Sequence, residues 1–301
     1  MNGVLVLDKP AGFTSFDAVA VMRGLTHERK IGHTGTLDPM ATGVLPLLLG
    51  CATRANAFLP DTDKEYEAGF RLGIETDTQD TTGKVIAESD RGATAEEVEA
   101  ALGAFRGNIL QIPPMVSAVS VGGKRLYELA RQGIEVERKP RPVTISRLEL
   151  LTYDESTRSG TLRIACSKGT YIRTLCADLG KALHTYGVMS ALRRTRACGF
   201  TLDDCITLPR AKDLAAKGRL GECVLPVETL FLNMPFVAVS EAQAKRFSNG
   251  GALDLKRTSL RRAVPPEETV LRVKNPKGDF LGLGRVAAGQ IRVLRLFRCS
   301  E

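Results

Sequence analysis

The chain has 301 residues, 43% of them hydrophobic, and its 42 Lys and Arg outnumber its 34 Asp and Glu for a formal net charge of +8. That length can bury a substantial core and fits one large domain with a smaller one appended. No stretch approaches the roughly 20 apolar residues of a membrane span and the N-terminus carries no basic segment before a long apolar run, so a soluble, cytoplasmic protein is expected, with no membrane association.

The seven cysteines are odd in number and scattered, without a Cys-x-x-Cys pair. They support neither a disulfide framework nor a zinc site and read as small buried hydrophobes in a reducing compartment. The charge excess is local. Positions 245 to 298 hold 13 basic and 4 acidic residues, leaving 29 and 30 elsewhere, so the C-terminal fifth carries the whole excess, as a surface for a polyanion such as RNA would.

In chain order, Gly3 to Leu7 reads as a strand and Asp8 to Gly12 as a turn. Thr14 or Ser15 then caps a helix running to about Leu25. Val44 to Leu49 is a buried strand or helical run. From Lys64 to Ile74, Tyr66, Ala68, Phe70 and Leu72 alternate onto one strand face. Asp77 to Gly83 turns into Lys84 to Ala87, a hairpin; Thr82 stands where a calcium loop needs glycine, which rejects calcium. Thr94-Ala95-Glu96-Glu97 is a capping box before a helix with Val98, Ala101, Leu102 and Phe105 on one stripe.

Residues 115–142 are polar and basic around a short helix at Leu126 to Arg131, and read as an excursion from the core. Val143 to Leu151 and Thr161 to Cys166 are strands. The next helix carries Ile172, Leu175, Cys176 and Leu179 on one stripe, with Arg173 opposite in the first turn. A cation there opposes the helix dipole, so it is either an exposed arginine or one with a carboxylate partner. Beyond about residue 225, Val270 to Val273, Phe280 to Val286 and Gln290 to Phe297 are strands at intervals typical of a small β barrel.

Residues 32–43, Gly-His-Thr-Gly-Thr-Leu-Asp-Pro-Met-Ala-Thr-Gly, form an irregular loop presenting Asp38 five residues after His33. A phosphate-cradling loop is excluded because the Gly-Lys-Ser/Thr ending is missing. A metal site is poorly supported, since His27, His33 and His184 have no ligand spacing. Two readings remain: Asp38 stabilises a turn, or it is a lone carboxylate acting as nucleophile or base.

This segment closely resembles the signature of bacterial tRNA pseudouridine synthases of the TruB type, which modify uridine 55 in the T loop. Leu7-Asp8-Lys9-Pro10-Ala11-Gly12, Lys64-Glu65-Tyr66 with residues 77–83, and Cys166-Ser167-Lys168-Gly169-Thr170-Tyr171-Ile172-Arg173 resemble further motifs of that family. So do Pro113-Pro114-Met115-Val116-Ser117-Ala118 and Leu126 to Gly133. The resemblance covers almost the whole chain, although Arg257 to Glu268 is hard to place within the family's C-terminal PUA module.

The resemblance implies an α+β fold, a central mixed and largely antiparallel sheet flanked by helices, with a small barrel-like PUA domain. It divides the chain into a catalytic domain, 1–227, carrying an RNA-clamping insertion at about 115–142, and an RNA-binding domain, 228–301. It implies Asp38 as nucleophile, at ribose C1′ or uracil C6, and Arg173 as the partner keeping it ionised. Tyr66 would stack on the uracil, Tyr171 and Leu192 would line the pocket, and His33 would fill the gap left by the extruded uridine. Lys9 is a further substrate-binding candidate, open between a carboxylate and a phosphate partner. The isomerisation needs no metal or organic cofactor. The expected partner is the T-stem loop of tRNA, with the enzyme a monomer needing no other protein.

Overall fold

In the computed structural model, which describes residues 1–60, 62–117 and 119–297, the chain folds around one large mixed sheet. Ala118, the end of one matched segment, and Arg298 and Cys299, counted above, lie outside the described residues.

Strand β1 (Gly3–Lys9) leads into α1 (Ser15–Thr26), followed by β2 (Ile31–His33), β3 (Thr42–Leu49), β4 (Lys64–Leu72) and the hairpin β5 (Ile74–Thr76) and β6 (Val85–Glu88). Next come α2 (Ala95–Leu102), β7 (Gly107–Gln111), the small hairpin β8 (Ser120–Val121) and β9 (Lys124–Arg125), and α3 (Leu126–Arg131). The long pair β10 (Arg141–Asp154) and β11 (Ser159–Cys166) precedes α4 (Ile172–Ala182), β12 (Gly187–Ala197), β13 (Phe200–Thr201), β14 (Ile206–Thr207) and α5 (Leu208–Ala216). The C-terminal part contains β15 (Phe236–Ala238), α6 (Glu241–Ser248), β16 (Leu253–Asp254), β17 (Val270–Lys274), β18 (Phe280–Ala287) and β19 (Gln290–Leu296).

The ten-stranded sheet runs β14-β1-β3-β12-β4-β11-β10-β7, with β2 on β3 and β13 on β12. β1 pairs with β14, and β3 with β12, in parallel; the other pairs are antiparallel.

The central strands are apolar throughout because both faces of the sheet are covered. On β1, Leu5 and Leu7 enter the core beneath the helices while Val4 and Val6 enter a second core on the opposite face. β3 divides the same way: Leu45, Leu47 and Leu49 on one side, Val44 and Leu48 on the other. That second core includes Phe231, Leu283 and Phe297, so the C-terminal strands cover the back of the sheet. Phe231, Phe280 and Phe297 pack ring to ring there, 5.6 to 6.0 Å apart. Glu228 joins the layers through Arg272 at 2.7 Å and Lys274 at 3.1 Å.

The helix starts follow their capping residues. Thr14 accepts from Asp17 N at 3.0 Å while the Asp17 carboxylate accepts from Thr14 N at 2.9 Å, and Thr94 with Glu97 and Ser240 with Gln243 repeat the arrangement.

Several expectations are corrected. The loop read at 32–43 is shorter, because Gly32 and His33 pair with Leu48 and Leu47, and Thr42 and Gly43 begin β3. The excursion ends by residue 140: Arg141 and Pro142 pair with Gln111 and Leu110 and belong to the sheet. Phe105 lies in a 3-10 turn beyond Gly103, not in the helix. Of the two readings left open for Arg173, exposed or with a carboxylate partner, the structure shows the second, and the side chain is buried. Cys166 and Cys176 are buried thiols as read, whereas Cys51 is disulfide-bonded.

Candidate functional site

The site forms where β3, β12 and β4 lie side by side. Tyr66 pairs with Arg194, and Ala68 with Leu192, across β4 and β12. Facing residues in an antiparallel pair share a sheet face, so Tyr66, Leu192 and Arg194 project to the same side. Arg194 also pairs with Gly43 of β3. A side chain at Gly43 has no room: its backbone has φ +103° and a Cβ would stand 2.1 Å from the Arg194 carbonyl oxygen.

The segment carrying Asp38 is held from several directions. Ser15 Oγ accepts from Leu37 N at 2.8 Å and donates to Leu37 O at 3.2 Å. Gly12 N donates to Pro39 O at 2.9 Å. Arg194 spans the segment's two ends, donating to Gly35 O at 3.1 Å, Thr36 O at 3.3 Å and Val44 O at 2.7 Å. Lys9 is wholly buried, and its ammonium donates to Pro10 O at 2.9 Å, Phe13 O at 2.6 Å and Pro39 O at 3.4 Å. Its amine therefore faces backbone carbonyls under the Asp38 segment. Burial, and then the nearby Arg194 charge, lower its pKa to about 8.

Asp38 meets Arg173 across this segment, with Nε 3.0 Å from Oδ2 and Nη2 3.4 Å from Oδ1. The arginine is almost fully enclosed, 6% exposed, while the carboxylate is 34% exposed, so the acid faces an approachable opening and its partner does not. Arg173 also donates to Thr78 O at 3.1 Å and to Val116 O at 2.9 Å, at the start of the basic insertion. Burial raises the Asp38 pKa; Arg173 offsets part of that and the Asp80 carboxylate adds to it. The arginine thus favours the ionised form, as the resemblance implied, yet the net direction is upward because desolvation outweighs it.

Asp80 is the acid that sequence reasoning missed. It lies 3.9 Å from Arg173 Nη1, is buried, and accepts from Thr78 Oγ1, Thr82 N and Thr82 Oγ1. The hairpin turn thereby supplies a second carboxylate to the arginine, and together the acids offset the unfavourable position of a cation at the start of α4. Its signal was present: an acid in a motif-like turn whose calcium reading had failed. Gln111 was also missed. Its side-chain amide donates to Tyr171 O at 3.0 Å and accepts from Tyr171 N at 2.7 Å, fixing the residue that enters α4.

Tyr66 is buried, and desolvation holds its phenol up at about 12 against an opposing influence from Arg194. Leu192 is buried beside it in the main core. Tyr171 is half-buried at the α4 N-cap. His33 closes β2; its Nδ1 is buried with no hydrogen-bond partner among the described residues, and burial followed by the Arg194 charge pushes its pKa down. Asp38 and Arg173 are therefore in direct contact, Tyr66 and Leu192 share their sheet face with Arg194, and Lys9 supports the Asp38 segment from below. Chemically, the arrangement offers a partly open carboxylate with a fixed cation behind it and a buried phenol nearby.

A buried arginine pairing with an aspartate on a sheet-borne loop defines an enzyme-like site on a mixed sheet. The family model for the TruB family pseudouridylate synthase N-terminal domain matches residues 23–172, the tRNA pseudouridylate synthase B C-terminal domain matches 173–232, and the Pseudouridine synthase II TruB C-terminal model matches 235–297. The chain belongs to the TruB family of pseudouridine synthases. It is 42% identical to tRNA pseudouridine synthase B of Pseudomonas aeruginosa over 99% of this chain and 96% of that one. It is 46% identical to the protein of the same name from Aromatoleum aromaticum over 94% and 88%. Among solved structures, a Cbf5-Nop10-Gar1 complex contains a chain that matches with a TM-score of 0.74 at 25% identity, covering 98% of this chain and 85% of that one. A Cbf5-Nop10 complex gives 0.73 at 23% identity over 99% and 86%, a likeness of fold.

Proposed function

We propose that this chain converts uridine 55 in the T loop of tRNA to pseudouridine, with Asp38 as the nucleophile. The observation that carries the reading is the Asp38–Arg173 pair, an accessible carboxylate backed by an enclosed guanidinium, in a chain whose relatives are named tRNA pseudouridine synthase B. The isomerisation breaks the N1–C1′ glycosidic bond, rotates the uracil and forms a C5–C1′ bond. C5 loses a proton and N1 gains one, so no electrons are exchanged and no water is consumed. A carboxylate can form a covalent intermediate and also leave it.

The uridine must first leave its stack, at a cost of a few kcal/mol. An aromatic face offsets roughly 1 to 3 kcal/mol per base, the role assigned to Tyr66, with Tyr171 and Leu192 lining the pocket and His33 occupying the vacated position in the RNA. Residues 228–301, where the basic excess lies, serve as the RNA-binding module.

The test is tritium release from a T-arm stem-loop labelled at uracil C5. Release from one uridine is expected; no release from either the stem-loop or a full-length tRNA overturns the reading. The likeness to a Cbf5 chain solved with partner proteins favours a second reading, a synthase that depends on a guide RNA. Turnover of bare tRNA by the purified chain alone decides between them.

A further inference from the structure

Two lysines stand beside the site, and their donors are used differently. Lys9 has none to spare, because its three ammonium N–H groups meet three backbone carbonyls. Lys64 is the first residue of β4, two positions before Tyr66, so both side chains project from one face of the strand, roughly 7 Å apart along it. Its stem runs beside the segment that carries Asp38: a Cβ on Gly35 would stand 3.2 Å from Lys64 Cε and 3.8 Å from Arg194 Nη1. Among the described residues the Lys64 ammonium donates to Thr62 O at 2.6 Å and makes no ion pair. The rest of its donor capacity is unused.

The neighbouring cations are committed elsewhere. Arg173 holds Asp38, Arg193 pairs with Asp8, Arg196 pairs with Glu65, and Arg194 donates to three backbone carbonyls. A half-buried ammonium beside another cation, with no carboxylate to offset its desolvation, is unfavourable until an anion completes it. A uridine whose base lies on Tyr66 brings such anions with it, one phosphodiester on each side of its ribose, while the base and sugar are neutral. We propose that Lys64 binds a phosphodiester flanking the target uridine, anchoring the backbone of the extruded nucleotide beside Gly35 while its base rests on Tyr66. This rests on the pseudouridine synthase reading above. It gives Lys64 the phosphate contact that was open for Lys9, whose amine is closed off by carbonyls.

The experiment follows the single-turnover rate of tritium release against enzyme concentration, using T-arm stem-loops in which the phosphate on one or the other side of the target uridine is a neutral methylphosphonate. In the wild-type chain one of the two replacements is expected to raise the half-saturating concentration about tenfold, and Lys64→Met to raise it by a similar factor on unmodified RNA. In Lys64→Met that same methylphosphonate should change it by less than about twofold further, because the contact is already gone. A lysine that only braces Thr62 would weaken the RNA by the same factor whether or not the phosphate is charged. Factors that multiply at both positions, methylphosphonates without effect on the wild type, or an unchanged half-saturation in Lys64→Met each overturn the assignment. Should Lys64→Met fail to give a cooperative melt, Lys64→Gln enters the same cycle with the same criteria. A wild-type chain that releases no tritium from unmodified RNA defeats the functional reading itself, whereas any of these outcomes with an active wild type defeats only the role of Lys64.

Discussion

Arg173 Nε lies 3.0 Å from Asp38 Oδ2 although 135 residues separate the two in the chain. Arg173 is the leading influence holding the acid down against its burial, so Arg173→Ala should raise the Asp38 pKa further and move the acidic limb of the pH–rate profile to higher pH. Activity at pH 7 should fall on the order of 100-fold or more. Arg173→Lys should recover little of it, because an ammonium cannot reproduce the fork that reaches Asp38, Thr78 and Val116 together. An acidic limb that stays in place in Arg173→Ala would remove the electrostatic pairing.

Asp38→Asn should abolish isomerisation while leaving tRNA affinity within about tenfold, because attachment is dominated by phosphate contacts from many cations and one carboxylate contributes little to it. Filter binding and tritium release on the same preparation check the two halves. Full turnover by the variant would show that another group is the nucleophile.

The backbone around Asp38 should tolerate little change. Ser15→Ala leaves Leu37 N and O without their partner, a loss of about 1 to 3 kcal/mol by urea unfolding. Gly43→Ala drives a Cβ into the Arg194 carbonyl oxygen and should cost about 3 kcal/mol or more. Both should lower the single-turnover rate more than they weaken RNA binding, and unchanged stability in Gly43→Ala would contradict the close approach of β3 and β12.

Lys9 predicts a pH dependence of stability. Its amine has a folded-state pKa of about 8, below the 10.5 of the unfolded chain. Between those values the unfolded state binds more protons, so this residue contributes stability that rises with pH across that window and is flat below it. The stability difference between wild type and Lys9→Met, followed from pH 7 to 10.5, should therefore move in favour of the wild type. A difference independent of pH would mean that the amine is not desolvated.

Within the insertion, Lys124, Arg125, Arg131, Arg138 and Lys139 repel one another until phosphates neutralise them. Limited proteolysis between residues 115 and 140 should slow when tRNA is added, and equal cleavage rates with and without tRNA would count against an RNA-clamping role.

Most elements were legible because their signals are local. The alternation from Tyr66 to Leu72 marks a half-buried strand, the stripe of Ile172, Leu175, Cys176 and Leu179 marks a helix, and Thr94 with Glu97 marks a helix start. Arg194 left no such local trace. Residues two apart on a strand share a face, so Arg194 stands beside Leu192 once Gly187–Ala197 is known to be a strand, an element the sequence reading did not identify. Which of the adjacent Arg193 and Arg194 is buried depends on the register of β12 against β4, a long-range property absent from the local pattern.

The sequence by itself determined the elements, the basic C-terminal fifth and the resemblance of Asp38's surroundings to one family, because period, capping and motif order are written over a few residues. Only the tertiary structure decided that Arg173 is enclosed rather than exposed, that Asp80 joins it, and that Lys9 bonds to the carbonyls beneath Asp38. The order β3-β12-β4 brings together groups remote in the chain. Burial then sets their charges, and burial belongs to the folded whole.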